Sequence, residues 1–177
     1  MSMHKPRLKY VSWKEIVEIS VKLAHEISKR YKPDVIVAVA KGGLVPARIM
    51  LDFLNVDEFG VVEVKFYKSI GFTMDKPFIR ILALPPIADK NVLVVDDVVD
   101  TGRTMQLVVN TLSSYRVKNV KTVALFLKPW STFMPDYYYS TSEDWIIFPW
   151  EICEVLRENV SLDNEEFNEY SKFCVEV

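Results

Sequence analysis

The sequence predicts an α/β fold, built as a doubly wound and mainly parallel sheet. Three nearly continuous hydrophobic runs have the length and the β-branched composition of buried strands: Val35–Ala40, Val92–Val95 and Val120–Leu127. Apolar residues recur at helical spacing between Ile16 and Ile27 and again between Met105 and Tyr115. Buried strands that alternate with amphipathic helices indicate a helix-covered parallel sheet, which binds ligands at the C-terminal ends of its strands.

Local patterns predict the ends of several elements. Ser12 and Glu15 have capping-box spacing, so a helix is expected to begin there and to end near Arg30. Val61–Tyr67 alternates as a strand, and Phe78–Leu82 is predicted to return antiparallel to it. The polar connection Lys68–Lys76 is longer than a hairpin needs, which predicts a mobile flap.

The stretch from Val92 to Met105 carries the strongest chemical pattern. A buried strand leads into Asp96 and Asp97, and the segment Asp100-Thr-Gly-Arg-Thr104 then opens a helix. Backbone N–H groups and hydroxyls at a helix N-terminus favour a phosphate. Carboxylates beside a phosphate site are reasonable if the ligand also has hydroxyl groups or carries a metal. A sugar phosphate bound with Mg²⁺ meets both conditions.

This stretch resembles the phosphoribosyl-pyrophosphate (PRPP) motif of type I phosphoribosyltransferases. The resemblance implies that the acidic pair, Asp96 and Asp97, holds the ribose hydroxyls and that Asp97 contributes to a Mg²⁺ site. It also implies a phosphate loop that binds the 5′-phosphate, formed by Asp100, Thr101, Gly102, Arg103 and Thr104. Within it, Asp100 matches the carboxylate that takes the N7 proton, and it could also cap the helix. The alternative is an ordinary strand–turn–helix with acidic turn residues.

Two further loops match the 6-oxopurine class of that family. Lys41, Gly42 and Gly43 follow a buried strand and correspond to a loop that binds pyrophosphate, called here the diphosphate loop. In related enzymes the peptide bond before its basic residue is cis, so a cis Ala40–Lys41 bond is expected. Lys128 precedes a proline after the last strand and corresponds to the lysine that hydrogen-bonds the purine 6-oxygen. The family's usual Ser-Tyr pair before the flap is Phe66-Tyr67 here.

The aromatic stretch from Trp145 to Glu151 resembles one in bacterial xanthine-guanine phosphoribosyltransferases. The resemblance implies that Trp145 stacks on the purine and that Ile146 reads its pyrimidine edge through the backbone. The alternative is that these side chains only fill a core. Residues 1–129 are predicted to form the PRPP-binding core, and residues 130–177 an irregular aromatic hood with an acidic C-terminal segment, within one domain unit.

Charge and cysteine content exclude several classes of protein. Residues 151–177 hold eight acidic and two basic residues, a net charge of −6, so the other 150 residues carry +4 of the total −2. Two cysteines, Cys153 and Cys174, and two histidines without a CxxC motif exclude an ordinary zinc site. Free thiols are expected, with a disulfide plausible only in a hyperthermophile. The absence of a signal-like N-terminus and of a run of about 20 apolar residues predicts a cytoplasmic protein without a membrane partner.

The implied activity is purine salvage with Mg²⁺ as cofactor. The 5-phosphoribosyl group of PRPP would be transferred to N9 of xanthine, guanine or hypoxanthine, with release of pyrophosphate. Lys128 can donate to a 6-oxo group but not to a 6-amino group, which disfavours adenine. The alternative is a non-enzymatic PRPP- or purine-responsive regulator, but no room for a DNA-binding domain is evident and no nucleic-acid partner is expected. The family usually forms homodimers or homotetramers.

Overall fold

The computed structural model describes residues 7–67 and 76–175, so that residues 68–75 of the predicted flap lie outside the described residues. The described elements are, in chain order, β1 (Leu8–Tyr10), α1 (Trp13–Ser28), β2 (Val35–Ala40), α2 (Leu44–Phe53), β3 (Glu58–Tyr67), β4 (Lys76–Ala83), β5 (Asn91–Val99), α3 (Arg103–Ser113), β6 (Asn119–Leu127), β7 (Tyr137–Thr141), β8 (Trp145–Ile147), a 3-10 turn (Pro149–Glu151), α4 (Ile152–Arg157) and α5 (Glu165–Ser171). They form two compact units, a larger one of residues 19–142 and a smaller one of the residues up to Glu18 and from Glu143 onward.

A six-stranded sheet organises the larger unit. Its strand order is β4-β3-β2-β5-β6-β7, and every neighbouring pair is parallel except β3 and β4. The prediction of a mainly parallel sheet with one antiparallel return is therefore confirmed. Consecutive residues of β2 are buried from Val35 to Val39, which happens only when both faces of a strand are covered.

Helix packing explains the apolar spacing in the sequence. Met105, Val108 and Leu112 of α3 are fully buried in the core beside Val37 and Val94. Tyr115, expected on the same helix face, is exposed because α3 ends at Ser113. No helix within residues 7–67 and 76–175 is long and apolar enough to cross a membrane.

The predicted start of α1 is confirmed by its hydrogen bonds. The backbone N–H of Ser12 donates to Glu15 Oε2 over 2.8 Å, and the N–H of Glu15 donates to Ser12 Oγ over 3.3 Å. This reciprocal pair is the capping box read from the sequence. The helix ends at Ser28, two residues before the predicted end.

The segment after Trp130, expected to be irregular, contains regular structure. Tyr137–Thr141 forms the edge strand β7 of the main sheet, because its backbone pairs in parallel with β6. In the smaller unit, β8 pairs in parallel with the unpredicted strand β1. Beside them Phe167 packs in a cluster with Ile147 and Ile152. Strand pairing over such sequence distances is not visible in local periodicity.

The expectation of free thiols is wrong. Cys153 and Cys174 form a disulfide, with their Cα atoms 5.5 Å apart. Cys153 lies in α4 and Cys174 follows α5, and the packing of these two helices brings the cysteines within bonding distance.

Candidate active site

The predicted loops of the larger unit meet at one edge of the sheet. Strand β5 lies between β2 and β6 and runs parallel to both. The C-terminal ends of the three strands therefore point the same way. The diphosphate loop follows β2, the phosphate loop follows β5, and Lys128 follows β6. This edge is where open parallel sheets bind their ligands.

The diphosphate loop packs directly on the acidic pair. A β-carbon on Gly42 would lie 1.8 Å from Asp97 Oδ2, and one on Gly43 would lie 2.3 Å from the carbonyl oxygen of Val95. Both positions therefore require glycine for close approach rather than for an unusual φ. The bond Ala40–Lys41 is cis, as the resemblance predicted.

The acidic pair lies inside a strand and not beyond its end. Ladder pairing of β5 with β6 continues to Val98 and Val99, so Asp96 and Asp97 are buried, with 8% and 7% exposure. The strand therefore extends four residues beyond the predicted run Val92–Val95. The N–H of Asp97 donates to Asp96 Oδ1 over 3.0 Å, and the N–H of Val98 donates to Asp97 Oδ1 over 2.7 Å.

Burial gives the acidic pair unusual electrostatics. Desolvation raises the pKa of Asp96 well above its ordinary value, and the neighbouring charge of Asp97 raises it further. The pair therefore favours a bound proton, a cation or hydroxyl donors that relieve this cost. Within the described residues, no three acidic, histidine or cysteine side chains cluster as a complete metal site. Carboxylate oxygens suit Mg²⁺, which would need further oxygen ligands from a substrate.

The phosphate loop turns at Gly102. Gly102 has a left-handed φ of 85° and stands at the N-cap of α3. The N-cap residue of α3 is Gly102 and not Asp100, and the N–H of Arg103 donates to Thr101 Oγ1 over 3.5 Å. The loop borders a small cavity of about 140 Å³, with Asp96 and Phe66 among its walls. The guanidinium of Arg103 lies 5.5 Å from the centre of the Phe66 ring.

The segment after β6 is fastened to the phosphate loop. Lys128 is buried, and its backbone N–H donates to the carbonyl of Val99 over 2.9 Å. Thr132 donates from both its N–H and its Oγ1 to the carbonyl of Thr101. Trp130 Nε1 donates to Asp100 Oδ1 over 2.8 Å. Sequence reasoning did not identify Trp130, although an aromatic residue directly after a Lys-Pro pair was available as a hint.

Trp145 and Ile146 belong to the smaller unit. Trp145 begins β8 and is 55% exposed, so the alternative that it fills a core is wrong. With Leu8 and Val155 it lines a cavity of about 390 Å³. Ile146 is buried, and its backbone belongs to the β1–β8 pairing.

Known proteins resemble this chain over most of its length. The family model of the phosphoribosyl transferase domain matches residues 8–155. The xanthine-guanine phosphoribosyltransferase of Idiomarina loihiensis is 32% identical over 156 residues, covering 86% of this chain and 92% of that protein. The hypoxanthine-guanine phosphoribosyltransferase of Cricetulus griseus is 28% identical, and the match covers 90% of this chain and 76% of that protein. A purine phosphoribosyltransferase from Pyrococcus horikoshii, known from its crystal structure, is 39% identical in sequence. The two structures superpose with a TM-score of 0.74 over 81% of this chain and 93% of that one.

The fold, the loops at the strand ends and these matches lead to one conclusion. The chain belongs to the phosphoribosyl transferase family. Within it, the chain is a type I enzyme of the 6-oxopurine class.

Proposed function

We propose that the protein transfers the 5-phosphoribosyl group from PRPP to N9 of xanthine, guanine or hypoxanthine and releases pyrophosphate. The observation that carries this proposal is the contact of Gly42 with the Asp97 carboxylate. This contact joins the glycine loop after β2 to a buried acidic pair, and a sugar that bears a pyrophosphate at C1 would lie against both. The relatives named above support the choice of a purine acceptor.

Each loop has a distinct task in this reaction. Asp96 and Asp97 accept hydrogen bonds from the ribose hydroxyls, and the backbone of Thr101–Thr104 receives the 5′-phosphate at the start of α3. As N9 bonds to C1, the C1–oxygen bond breaks and pyrophosphate leaves with the electron pair. Donors of the diphosphate loop stabilise that developing charge.

The acceptor base is held by groups from three places in the chain. Lys128 donates to the 6-oxygen, and Asp100 takes the proton that leaves N7. Trp145 stacks on the purine ring, and the backbone at Ile146 contacts its pyrimidine edge. Holding both reactants in this way lowers the barrier by positioning more than by covalent chemistry.

Asp97 would share a Mg²⁺ ion with oxygens of PRPP, and the ion would neutralise charge on the departing pyrophosphate. The buried acidic pair fits such an ion because a cation relieves the cost of two neighbouring carboxylates. We further propose a homodimer or homotetramer that acts in the cytoplasm without a nucleic-acid or membrane partner. Light scattering of the purified protein would test the oligomeric state.

The decisive experiment supplies purified protein with PRPP, Mg²⁺ and each of xanthine, guanine, hypoxanthine, adenine and orotate. We expect nucleoside monophosphate and pyrophosphate to form with one or more of the three 6-oxopurines and not with adenine or orotate. Binding of PRPP without turnover of any base would favour a PRPP-responsive regulator instead.

A further inference from the structure

Trp130 contacts both charged side chains that the proposed mechanism places against the purine. Its indole Nε1 donates to Asp100 Oδ1 over 2.8 Å. Its ring lies 5.4 Å from Lys128 Nζ, measured to the ring centre, which is within the range of a cation–π contact. The side chain is 54% exposed, so burial in the core does not account for its position.

The backbone around Trp130 is held independently of its side chain. The N–H of Lys128 donates to Val99 on one side, and on the other Thr132 Oγ1 donates to Thr101 over 2.9 Å. A turn hydrogen bond from Ser131 to the carbonyl of Lys128 closes the segment. Because these bonds fix the loop, replacing the indole should leave the loop in place and change only what the indole contacts.

The chemistry of a 6-oxopurine explains why one residue should contact both Asp100 and Lys128. O6 and N7 are neighbouring atoms on the same edge of the base. A donor to O6 and an acceptor for the N7 proton must therefore stand side by side at a defined separation. An indole N–H can only donate, so Trp130 binds one oxygen of the Asp100 carboxylate and leaves the other for the proton.

We infer that Trp130 is a positioning residue that sets the orientation of Asp100 and Lys128 toward the N7 and O6 edge of the purine. This inference rests on the proposed function, in which Asp100 accepts the N7 proton and Lys128 binds O6. Trp130 itself exchanges no proton. It determines which carboxylate oxygen faces the base, and its ring lies beside the Lys128 ammonium group.

Trp130→Phe is the informative substitution because it keeps an aromatic ring beside Lys128 and removes the N–H donor to Asp100. We expect kcat with the preferred 6-oxopurine to fall roughly tenfold, a fraction of the 10²–10⁴-fold that proton transfer by a positioned group provides. The KM for PRPP should stay unchanged. Trp13→Phe is the matched control, since Trp13 is also partly exposed and packs against Trp150 in the smaller unit. It should leave kcat unchanged.

A double-mutant cycle with Asp100→Ala separates positioning from general structural damage. If Trp130 acts through Asp100, adding Trp130→Phe to Asp100→Ala should lower kcat no further. A Trp130→Phe protein with wild-type kcat would overturn the inference. So would a further tenfold loss in the Asp100→Ala background. A wild-type protein that turns over no base would instead overturn the proposed function, and the inference with it.

Discussion

The Cα atom of Gly42 faces the carboxylate of Asp97 so closely that a β-carbon would lie 1.8 Å from Oδ2. The loop after β2 and the acidic pair of β5 therefore form one surface, although 55 positions separate the two residues in sequence. Any side chain at position 42 must displace the carboxylate.

Gly42→Ala should weaken Mg²⁺-PRPP binding roughly tenfold, or about 1.4 kcal/mol, because the methyl group pushes Asp97 out of place. Isothermal titration calorimetry measures this directly. Gly60→Ala is the control, since a β-carbon there would lie 2.9 Å from a Leu84 methyl group outside the proposed site. It should lower stability without changing PRPP affinity. Equal PRPP affinity in wild type and Gly42→Ala would contradict the ribose-clamp role of Asp97.

Asp96 should make the ligand-free protein less stable as pH rises. Its pKa is raised in the folded state by burial and by Asp97, so the folded state binds the proton more tightly than the unfolded chain. This contribution to stability is full below the unfolded pKa, near 3.8, and is lost as pH rises through the folded value. Asp96→Asn keeps an acceptor for the Asp97 N–H and removes the titration.

We expect Asp96→Asn to stabilise the ligand-free protein by about 0.5–2 kcal/mol at neutral pH, with the gain shrinking toward pH 4. Urea unfolding at several pH values provides the measurement. Asp57→Asn, at an exposed carboxylate, should show no comparable gain. The same Asp96→Asn protein should bind PRPP more weakly. If the stability gained by Asp96→Asn does not depend on pH, the charge of Asp96 is not its cause.

Lys128→Met should raise the KM for 6-oxopurines by one to two orders of magnitude. The estimate follows from loss of a charge-assisted hydrogen bond of about 1.5–3 kcal/mol, and methionine preserves the volume of this buried side chain. Steady-state kinetics with PRPP held saturating would measure it. Lys121→Met, which breaks the ion pair with Asp136, is the control and should leave the KM unchanged. An unchanged KM for all three 6-oxopurines in Lys128→Met would show that Lys128 does not bind the purine.

Trp145→Ala should weaken binding of the purine nucleotide product by roughly 1–3 kcal/mol, the scale of base–aromatic stacking. PRPP affinity should barely change, because PRPP has no base to stack. The high exposure of Trp145 predicts that the variant folds, which circular dichroism would verify. Tyr115→Ala removes another exposed aromatic side chain and serves as the control. An equal loss of affinity for the nucleotide and for PRPP would argue against stacking.

Removing the disulfide with Cys153→Ser and Cys174→Ser should lower the free energy of unfolding by roughly 3 kcal/mol. The estimate is the loop-closure entropy for cysteines 21 residues apart. Thermal unfolding with and without dithiothreitol tests it. The reductant should destabilise the wild type to the level of the double variant and leave that variant unaffected. A wild type insensitive to dithiothreitol, with free thiols by mass spectrometry, would show that the bridge does not form.

Local sequence was enough to predict most strands of the main sheet and the start of α1. The hydrophobic run of β2 is found at its predicted bounds because a strand buried on both faces needs apolar residues throughout. Ser12 and Glu15 marked the start of α1 because a capping box requires only neighbours along the chain. Lys41, the acidic pair and Lys128 could be placed at one sheet edge because parallel strands end on the same side.

Only the tertiary structure decided how those loops contact one another. Burial of Asp96 and Asp97 depends on ladder pairing of β5 with β6, and the Trp130–Asp100 hydrogen bond joins two loops 30 residues apart. The pairing of β1 with β8 and the bridge between Cys153 and Cys174 likewise require the packed chain. Periodicity and caps arise from interactions within a few residues, whereas burial, strand neighbours and cross-loop hydrogen bonds depend on where distant segments settle.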